Sequence, residues 1–540
     1  MAAAREQTPP SVEIRHEPRQ PVSSPDLGVA VNVVAAGVSP NRLVTIGDSI
    51  TQGYKSAAVF HTDRSWPAIV AYELGLRLQV DFRYPVYEPP SGPGGLPFDL
   101  ERAIRGLEQV VGEKLEWHEI LRAGRWLQKY MDRIEDYWEG RGDGCFKLQP
   151  TTAPYHNLAV YGADLVDVQV LDSTIVEARL HGGTSDNPFA QGVEHDNDIA
   201  WQVVLDSCKS VGPTSTVLDA ARAMGEEGPG PHGIETLVVM LGANNALGSV
   251  VHLDPHWTPD DYLSDPDLRH RLDRKGAYNV WQPAHFADEW ERLVTELHTI
   301  RARHVIVATV PQVTIAPIAK GWKGKVRQGS RYFPYYTRPW IRDEDFDPDD
   351  DPWIDEDPAR GIDSAIDAFN DTIIASVRDA RNAGKDWYVF DLGGVLDSMA
   401  VRRYVTDPSA QPTWWKPYDF PPQLAALTPP PDTRFFQSGS GGREQGGLFS
   451  LDGVHPTTIA SGVLAREMIR IMDRKAGVSF VDRDGNPRPK GTVEVDFDRV
   501  LTLDTLISQP PKSIAATLSL LGWFDQKLDW VRRLTPFGGG

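Results

Sequence analysis

Five short apolar segments spaced along the chain constrain its fold more than any other feature of the sequence. They are Leu43–Ile46, Leu158–Tyr161, Leu237–Leu241, Val305–Val310 and Trp387–Phe390. Each is followed by Gly, Pro or Asp, and such unbroken apolar runs are typical of parallel strands that are covered on both faces. Segments with helical spacing alternate with them over 65–78, 286–302 and 361–384. This alternation predicts a doubly wound α/β fold with a five-stranded parallel sheet.

Long insertions interrupt the predicted core, which we place at residues 41–475 of the 540-residue chain. They cover 83–153, 251–284, 321–358 and 405–447. The first contains a Pro/Gly-rich loop and a charged helical pair over 99–138, whereas the others are loops rich in Trp, Tyr, Pro and Asp. Structureless loops of this length inside a compact fold are usually lids or binding loops.

Two extensions flank this core, at residues 1–40 and 476–540. In the second, Asp484-Gly485-Asn486 predicts the turn of a hairpin. Residues 514–534 then carry apolar side chains at helical spacing, namely Leu518, Leu521, Phe524, Leu528 and Val531. We predict an amphipathic helix that docks on the core, although the same stripe also suits a partner protein or a membrane interface.

The composition excludes several classes of partner. A formal charge of −20 argues against a nucleic acid or an anionic membrane surface as the main target. The N-terminus has no apolar core after a charged start, and no run is long enough for a transmembrane helix. We therefore recognise no signal peptide and predict a cytoplasmic location. The two cysteines, Cys145 and Cys208, have neither a disulfide framework nor zinc spacing, so we interpret them as structural thiols.

The segment LVTIGDSITQGY, residues 43–54, places Ser49 where the first strand ends and a helix begins. Ligands bind at the carboxyl ends of the strands in open α/β sheets, so Ser49 is a candidate nucleophile. The alternative is that Ser49 caps the following helix, because serine is a preferred N-cap residue.

Gly162 and Asn244 follow the second and third predicted strands. A glycine lets the backbone approach a ligand and offer its N–H group. The side-chain amide of Asn244 is placed to donate to a developing oxyanion, although asparagine in a loop is also a common turn former. Both residues are therefore candidate oxyanion donors.

Asp452 and His455 lie three residues apart in the segment LDGVHPTT, before a long amphipathic segment. Part of this pattern is also typical of the start of a helix, in which proline occupies the first helical position. The spacing also lets the carboxylate reach one imidazole nitrogen while the other nitrogen faces a serine. These two residues are the candidate base and its orienting acid.

Taken in order, these positions resemble the SGNH hydrolase superfamily, also called GDSL-type esterases and lipases. GDSIT is similar to its first signature block, NLAVYGA to the second, LGANN to the third and DGVHP to the fifth. The resemblance covers the α/β core and implies a three-layer, flavodoxin-like fold. Two features depart from the family pattern: Asn245 replaces the usual aspartate of the third block, and an unusually long insertion separates the first two blocks.

The residues and the resemblance together imply acyl transfer from an ester. Ser49 attacks the carbonyl, His455 takes its proton, and Asp452 orients the imidazole. The Ser49 and Gly162 N–H groups and the Asn244 amide hold the oxyanion. No cofactor or metal is expected, and the expected substrate is a small ester, such as an acyl lipid or an acylated sugar.

Two alternatives stay open on the sequence. One is a catalytically silent module that keeps the fold and binds a lipid or glycan through its aromatic loops. Intact Ser49, Asp452 and His455 disfavour it. The other is an acyltransferase, because an alcohol or a sugar can also accept the acyl group from the same intermediate.

Two further sequence features are interpreted differently. Asp345, Asp347, Asp349 and Glu356 have the spacing of calcium-loop ligands, but the sixth position of that loop is Asp350 instead of glycine, and we predict a solvated acidic loop. The aromatic residues of the insertions suit both a substrate pocket and packing on the core. They are Trp414-Trp415, Tyr332-Phe333, Tyr335-Tyr336 and Trp340.

Overall fold

The structure of the protein, a computed structural model, describes residues 7–32, 39–87, 92, 94–111, 120–140, 144–181, 193–512, 522 and 531. Its strands are, in chain order, β1 (Asn41–Gly47), β2 (Ala58–Val59), β3 (Leu96–Pro97), β4 (Ile234–Met240), β5 (Ala302–Ala308), β6 (Lys320–Gly321), β7 (Tyr335–Thr337), β8 (Trp353–Asp355), β9 (Trp387–Phe390), β10 (Gln437–Gly439) and β11 (Gly442–Gln445). A central parallel sheet contains four of them in the order β1-β4-β5-β9. The mixed α/β architecture predicted from the sequence is confirmed.

The α-helices lie between these strands and after them. In chain order they are α1 (Ser49–Gln52), α2 (Trp66–Glu73), α3 (Leu100–Val111), α4 (Ile120–Trp138), α5 (Leu165–Val170), α6 (Ser173–Leu180), α7 (Asp196–Cys208), α8 (Val217–Gly225), α9 (Asn244–Val251), α10 (Leu268–Arg274), α11 (Pro283–Leu297), α12 (Glu356–Asn382), α13 (Leu392–Met399), α14 (Pro422–Ala425), α15 (Thr458–Ile471), α16 (Phe497–Leu503) and α17 (Thr505–Ser508). Helix α2 lies within the predicted helical segment 65–78, and α11 and α12 overlap the segments 286–302 and 361–384 but begin three and five residues before them. Helices α3 and α4 form the predicted charged pair.

Side chains along the central strands alternate between two apolar clusters, one on each face of the sheet. In β4, Leu237 and Val239 belong to one cluster and Val238 belongs to the other. Helices α11 and α12 contribute to the first cluster, and α2 and α15 contribute to the second. Because both faces are buried in this way, each strand is apolar at nearly every position, which explains the unbroken runs in the sequence.

The second predicted strand, Leu158–Tyr161, is not a strand of the sheet. Residues 157–160 run beside β1 and are joined to it by one parallel bridge, between Thr45 and Asn157. Backbone hydrogen bonds continue this contact from Leu158 N to Thr45 O at 2.8 Å and from Val160 N to Gly47 O at 3.2 Å. The chain turns away at Gly162, so the paired stretch is too short for a regular ladder.

The insertions predicted as loops contain secondary structure of their own. Helix α10 lies within 251–284, and β7 and β8 of the third insertion form an antiparallel sheet with β6. The fourth insertion contains α14 and the β10–β11 hairpin. These strands are only two to four residues long, so they are too short to show an alternating pattern in the sequence.

The N-terminal extension runs along β9, the last strand of the central sheet. Val389 N, in β9, donates a hydrogen bond to Pro25 O at 2.9 Å, and Val22 N donates to the carboxylate of Asp391 at 2.7 Å. An unpaired sheet edge tends to pair with other chains, so this contact protects an exposed edge.

The C-terminal extension contains the predicted turn. Val481 and Pro487 form an antiparallel bridge, and Asp482 N donates to Asn486 O at 2.8 Å. The predicted helix over 514–534 lies outside the described residues, apart from Gly522 and Val531.

Both cysteines are free thiols; Cys208 is buried and Cys145 is half-buried. Burial raises the pKa of the Cys208 thiol to about 12, which makes it unreactive at neutral pH. In the described part of the chain, none of the helices combines the length and the apolar character that crossing a bilayer requires.

Candidate active site

Ser49 lies beyond the carboxyl end of β1, as the first residue of α1, and its side chain is buried. The residue before it caps the helix: the carboxylate of Asp48 accepts a hydrogen bond from Ile50 N at 3.0 Å. The interpretation of Ser49 as the N-cap is therefore wrong. Since Asp48 serves as the cap, the hydroxyl of Ser49 is available for other contacts.

A chain of two hydrogen bonds joins Ser49, His455 and Asp452. The Ser49 hydroxyl lies 2.8 Å from His455 Nε2, and His455 Nδ1 lies 3.0 Å from the Asp452 carboxylate. A carboxylate only accepts, so Nδ1 carries the proton and Nε2 accepts from the serine hydroxyl. The structure thus brings together three residues that the sequence places up to four hundred positions apart, in the order that a nucleophile, a base and an orienting acid require.

Asp452 is fully buried and surrounded by donors. One carboxylate oxygen accepts from Val454 N and His455 N at 2.9 and 2.8 Å, and the other accepts from Ala57 N at 2.9 Å as well as from the imidazole. Burial raises the pKa of Asp452, but the charge of His455 and these hydrogen bonds outweigh burial and hold the pKa below 3.8. This carboxylate therefore stabilises the fold above pH 3.8, and its contribution is lost as the pH falls through the folded-state pKa.

A tight loop before α15 presents Asp452 and His455. Gly453 has a φ of +69°, and a Cβ atom at this position would lie 2.9 Å from Ile318 N, so only glycine suits the turn. Helix α15 is capped by Thr457 and begins at Thr458. Pro456 therefore precedes the cap, and its predicted place at the first helical position is wrong.

Gly162 and Asn244 lie close to each other at the edge of the sheet where Ser49 lies. Gly162 has a φ of +75°, in the turn that follows the segment paired with β1. Asn244 Nδ2 donates to the carbonyl of the next residue, Ala163, at 2.8 Å. One N–H of the Asn244 amide is used in this contact, and the amide has a second N–H to offer.

Two backbone donors at this edge have no acceptor within the described part of the chain. Among the described residues, neither Ser49 N nor Gly162 N donates a hydrogen bond. The first N–H groups of a helix lack intrahelical partners and carry the positive end of its dipoles, so Ser49 N suits an anionic ligand. These two groups are available to an oxyanion.

Asn245, which replaces an aspartate in the segment that resembles the third SGNH block, lies in a buried environment. This side chain is fully buried, and neither its oxygen nor its nitrogen has a hydrogen-bond partner among the described residues. It therefore gives no hydrogen-bonded support to Asn244 or to His455.

Tyr54 packs on the imidazole of His455, with their ring centroids 4.5 Å apart, and Tyr161 lies behind it at 4.8 Å. This packing limits rotation of the imidazole and shields one of its faces from water.

A cavity of about 100 Å³ opens beside Ser49 and His455 and is otherwise almost entirely apolar. Helices α13 and α15 supply two of its sides, with Leu392, Leu396, Met399, Ala460, Val463 and Leu464. Gln312 is the one further polar residue on its wall among the described residues. The Gln312 amide is hydrogen-bonded to Asp367 and Arg403. The cavity suits an apolar group bound next to Ser49.

The sequence missed these wall residues and the roles of Asp48 and Tyr54. Leu392, Leu396 and Met399 recur at intervals of four and three, and Val463 and Leu464 lie three and four residues after Ala460. This spacing predicts only a buried helix face. It does not say that the two faces meet around Ser49.

The aromatic residues of the insertions do not line this cavity. Tyr332, Phe333 and Tyr336 are buried in the first apolar cluster, which favours the packing alternative for them. In the acidic segment, Asp345, Asp347 and Asp349 are exposed, and Glu356 pairs with Arg360.

Asp48 gives the fold a pH dependence. Burial raises the pKa of this carboxyl from 3.8 to about 7. The folded protein therefore holds the proton more tightly than the unfolded chain does, and the unfolding free energy falls as the pH rises from 3.8 to about 7.

Replacement of Asp48 by asparagine tests this pH dependence. In Asp48→Asn, the new amide oxygen would still cap Ile50 N, and the side chain would not ionise. This variant is expected to gain about 1–4 kcal/mol in unfolding free energy relative to wild type as the pH rises from about 4 to 7.

Urea unfolding of both proteins at several pH values checks this expectation. Asp484→Asn, in an exposed turn, is the control and should give a difference that does not change over the same range. A constant difference between Asp48→Asn and wild type would contradict the buried, proton-binding role of Asp48.

Comparison with known proteins gives no further guide to this site. A scan against protein-family models finds no match for the chain, and a search of curated proteins also finds none.

Proposed function

We propose that this protein is a serine hydrolase of the SGNH type that cleaves a carboxylic ester through an acyl-enzyme. The observation that carries the proposal is the hydrogen-bonded chain Asp452–His455–Ser49 at the wall of an apolar cavity. A serine, a histidine and a carboxylate in this order constitute an activated nucleophile. The sequence resemblance to the SGNH superfamily agrees with this proposal.

In the first half of the reaction, Ser49 Oγ forms a bond to the ester carbonyl carbon while its proton passes to His455 Nε2. The carbonyl oxygen becomes an oxyanion, held by the N–H groups of Ser49 and Gly162 and by the Asn244 amide. The C–O bond to the alcohol then breaks, and His455 gives its proton to the departing alkoxide. Asp452 stabilises the imidazolium throughout and stays ionised.

In the second half, water attacks the acyl group on Ser49 while His455 takes a proton from the water. Collapse of the second tetrahedral intermediate breaks the bond to Ser49 Oγ, which recovers the proton from His455. The products are a carboxylic acid and an alcohol, so the atoms of the ester and one water are accounted for. The residues described above perform every step.

We also propose a flavodoxin-like, three-layer arrangement for the core. The five apolar segments lie side by side in the order second, first, third, fourth, fifth, if the stretch beside β1 is counted. This is the order of flavodoxin-like sheets, in which ligands bind where the strand order reverses. Ser49 follows β1 and Asn244 follows β4, so both lie at that point, which supports the site assignment.

The cavity size predicts a preference for short acyl chains. A cavity of about 150 Å³ holds a benzene ring, so the 100 Å³ here suits an acyl chain of about four carbons. With p-nitrophenyl esters from acetate to palmitate, kcat/KM is expected to peak at acetate to butyrate and to fall about 10-fold or more by octanoate. Met399→Ala opens the cavity wall and is expected to move the optimum toward longer chains.

Leu263→Ala is the matched control, because Leu263 is 42% exposed and lies outside the cavity. An optimum that stays in place in Met399→Ala, with the variant folded, would contradict this assignment of the acyl site. Absence of hydrolysis with every ester would instead favour the silent binding module considered from the sequence.

A further inference from the structure

A second cavity lies at the opposite end of the sheet from Ser49. It has a volume of about 330 Å³ and lies between the chain that follows α2 and the end of the first insertion, beside α7. Arg83 N, on its wall, bonds His156 Nδ1 at 2.9 Å, and His156 Nε2 bonds Asn41, the first residue of β1, at 2.9 Å. Ser49 lies beyond the other end of this seven-residue strand, about 20 Å away.

The wall of this cavity carries neutral hydrogen-bonding groups. They are the amides of Gln79 and Gln149 and the hydroxyls of Tyr84, Thr151, Thr152 and Tyr155. Among the described residues, the one charged group on the wall is Arg83, whose Nε donates to Pro154 O at 3.0 Å, and none of them adds a carboxylate. Hydroxyls and amides both donate and accept, which suits a ligand that does the same.

Two of these groups have no partner within the described part of the chain. The hydroxyl of Thr151 is buried and makes no hydrogen bond there. The hydroxyl of the half-buried Tyr155 makes none there either, whereas Thr152 is exposed and its hydroxyl can bind solvent. Buried polar atoms are nearly always satisfied in folded proteins, so an orphaned hydroxyl on a cavity wall indicates a bound ligand or water.

The rest of the binding surface is apolar and combines aromatic rings with the aliphatic residues Val86, Leu148, Pro150, Ala153 and Val203. Tyr84, Phe146 and Tyr155 all line the cavity. A tyrosine offers an apolar ring together with a polar tip, and a sugar ring likewise has an apolar C–H face and a rim of hydroxyls. The apolar rings of the lining therefore match the C–H face of a saccharide, and its polar groups match the saccharide hydroxyls.

We propose that this cavity binds a neutral saccharide. A purely apolar ligand would bury the wall's amides and hydroxyls without hydrogen bonds, which is costly. A cationic ligand would be repelled by Arg83 and would find no carboxylate among the described residues of the wall. An anionic ligand is disfavoured by the net charge of −20. The volume lies at the lower end of the range for small-molecule sites and suits about one or two sugar rings.

This site is separate from the proposed esterase centre, because the two cavities share no residue in the described part of the chain. A glycan held here would keep the protein at a carbohydrate-bearing substrate or surface. Ser49→Ala is expected to lose ester cleavage and yet bind the saccharide as wild type does, so failure of either proposal can be recognised without the other.

Isothermal titration calorimetry of the full chain tests the proposal. The probes are maltose, cellobiose, lactose and trehalose, with glucuronate as a charged comparison. At least one neutral disaccharide is expected to bind with a Kd of about 0.1–10 mM. Tyr155→Ala is expected to weaken this binding about 10-fold, and Thr151→Val about 3–10-fold, since each removes a group that contacts the sugar.

Thr214→Val is the matched control, because Thr214 is exposed and lies outside the cavity. If Tyr155→Ala fails to fold, Thr151→Val alone decides, since valine keeps the shape of threonine. The proposal is overturned if no neutral disaccharide binds up to about 20 mM, if only glucuronate binds, or if both variants bind as wild type does.

Discussion

Replacement of Ser49 by alanine is expected to lower kcat for hydrolysis of p-nitrophenyl butyrate by about 10⁴-fold or more. The variant loses the atom that forms the acyl-enzyme, and His455 alone offers no other nucleophile at that position. Residual activity would come from the oxyanion donors and from substrate binding, which Ser49→Ala leaves in place.

The same variant should remain folded. Asp48 caps helix α1, so among the described residues the one hydrogen bond that the Ser49 side chain contributes is to His455. We expect the unfolding free energy to change by about 1 kcal/mol or less. Ser264→Ala, which removes an exposed hydroxyl away from the site, is the control for serine replacement and should keep full activity. A Ser49→Ala protein that is folded and hydrolyses esters at more than about a tenth of the wild-type rate would contradict the nucleophile assignment.

Replacement of Asp452 by asparagine is expected to lower kcat by about 10³–10⁴-fold. The carboxylate fixes the proton on His455 Nδ1, and an amide nitrogen at that position would donate where an acceptor is needed. His455 would then present a protonated Nε2 to Ser49 and fail as a base. The substitution also leaves at least one of the donors around Asp452 without an acceptor, which costs about 1–3 kcal/mol of stability.

Activity of Asp452→Asn should be measured per folded molecule, with unfolding followed in urea on the same sample. Asp349→Asn, in the exposed acidic segment, is the control for the change of charge and should have little effect on either quantity. If Asp452→Asn loses stability but keeps its full kcat, then Asp452 holds the loop together and does not orient the base.

The sequence predicted the parts of the fold that depend on the residue pattern within one short segment. Four of the five apolar segments are strands of the central sheet, because burial on both faces leaves a signal within each segment. The segment at Leu158 carries the same signal, yet its pairing depends on where the chain turns, at Gly162. The short strands of the insertions have no local signal, since two to four residues cannot show a period.

Some residues of the candidate site could likewise be predicted from their own segment of the sequence, and others could not. Ser49, Asn244 and His455 could be singled out because each lies just beyond the end of a strand or before the start of a helix, which the sequence marks. Asp48 and Ser49 are adjacent and both are good caps, so the sequence could not decide which of them caps α1. The cavity beside Ser49 could not be predicted from the sequence, because α13 and α15 are distant from Ser49 along the chain and lie around it only in the folded structure.

We predict that the chain forms a covalent acyl-enzyme at Ser49, which mass spectrometry can detect. The protein is mixed with p-nitrophenyl butyrate, quenched in acid during turnover, digested and analysed by mass spectrometry. We expect the peptide that contains Ser49 to gain the mass of one butyryl group in wild type and none in Ser49→Ala. Rapid ester cleavage in wild type with no acyl group on that peptide, or with the acyl group on a different residue, would show that Ser49 is not the nucleophile.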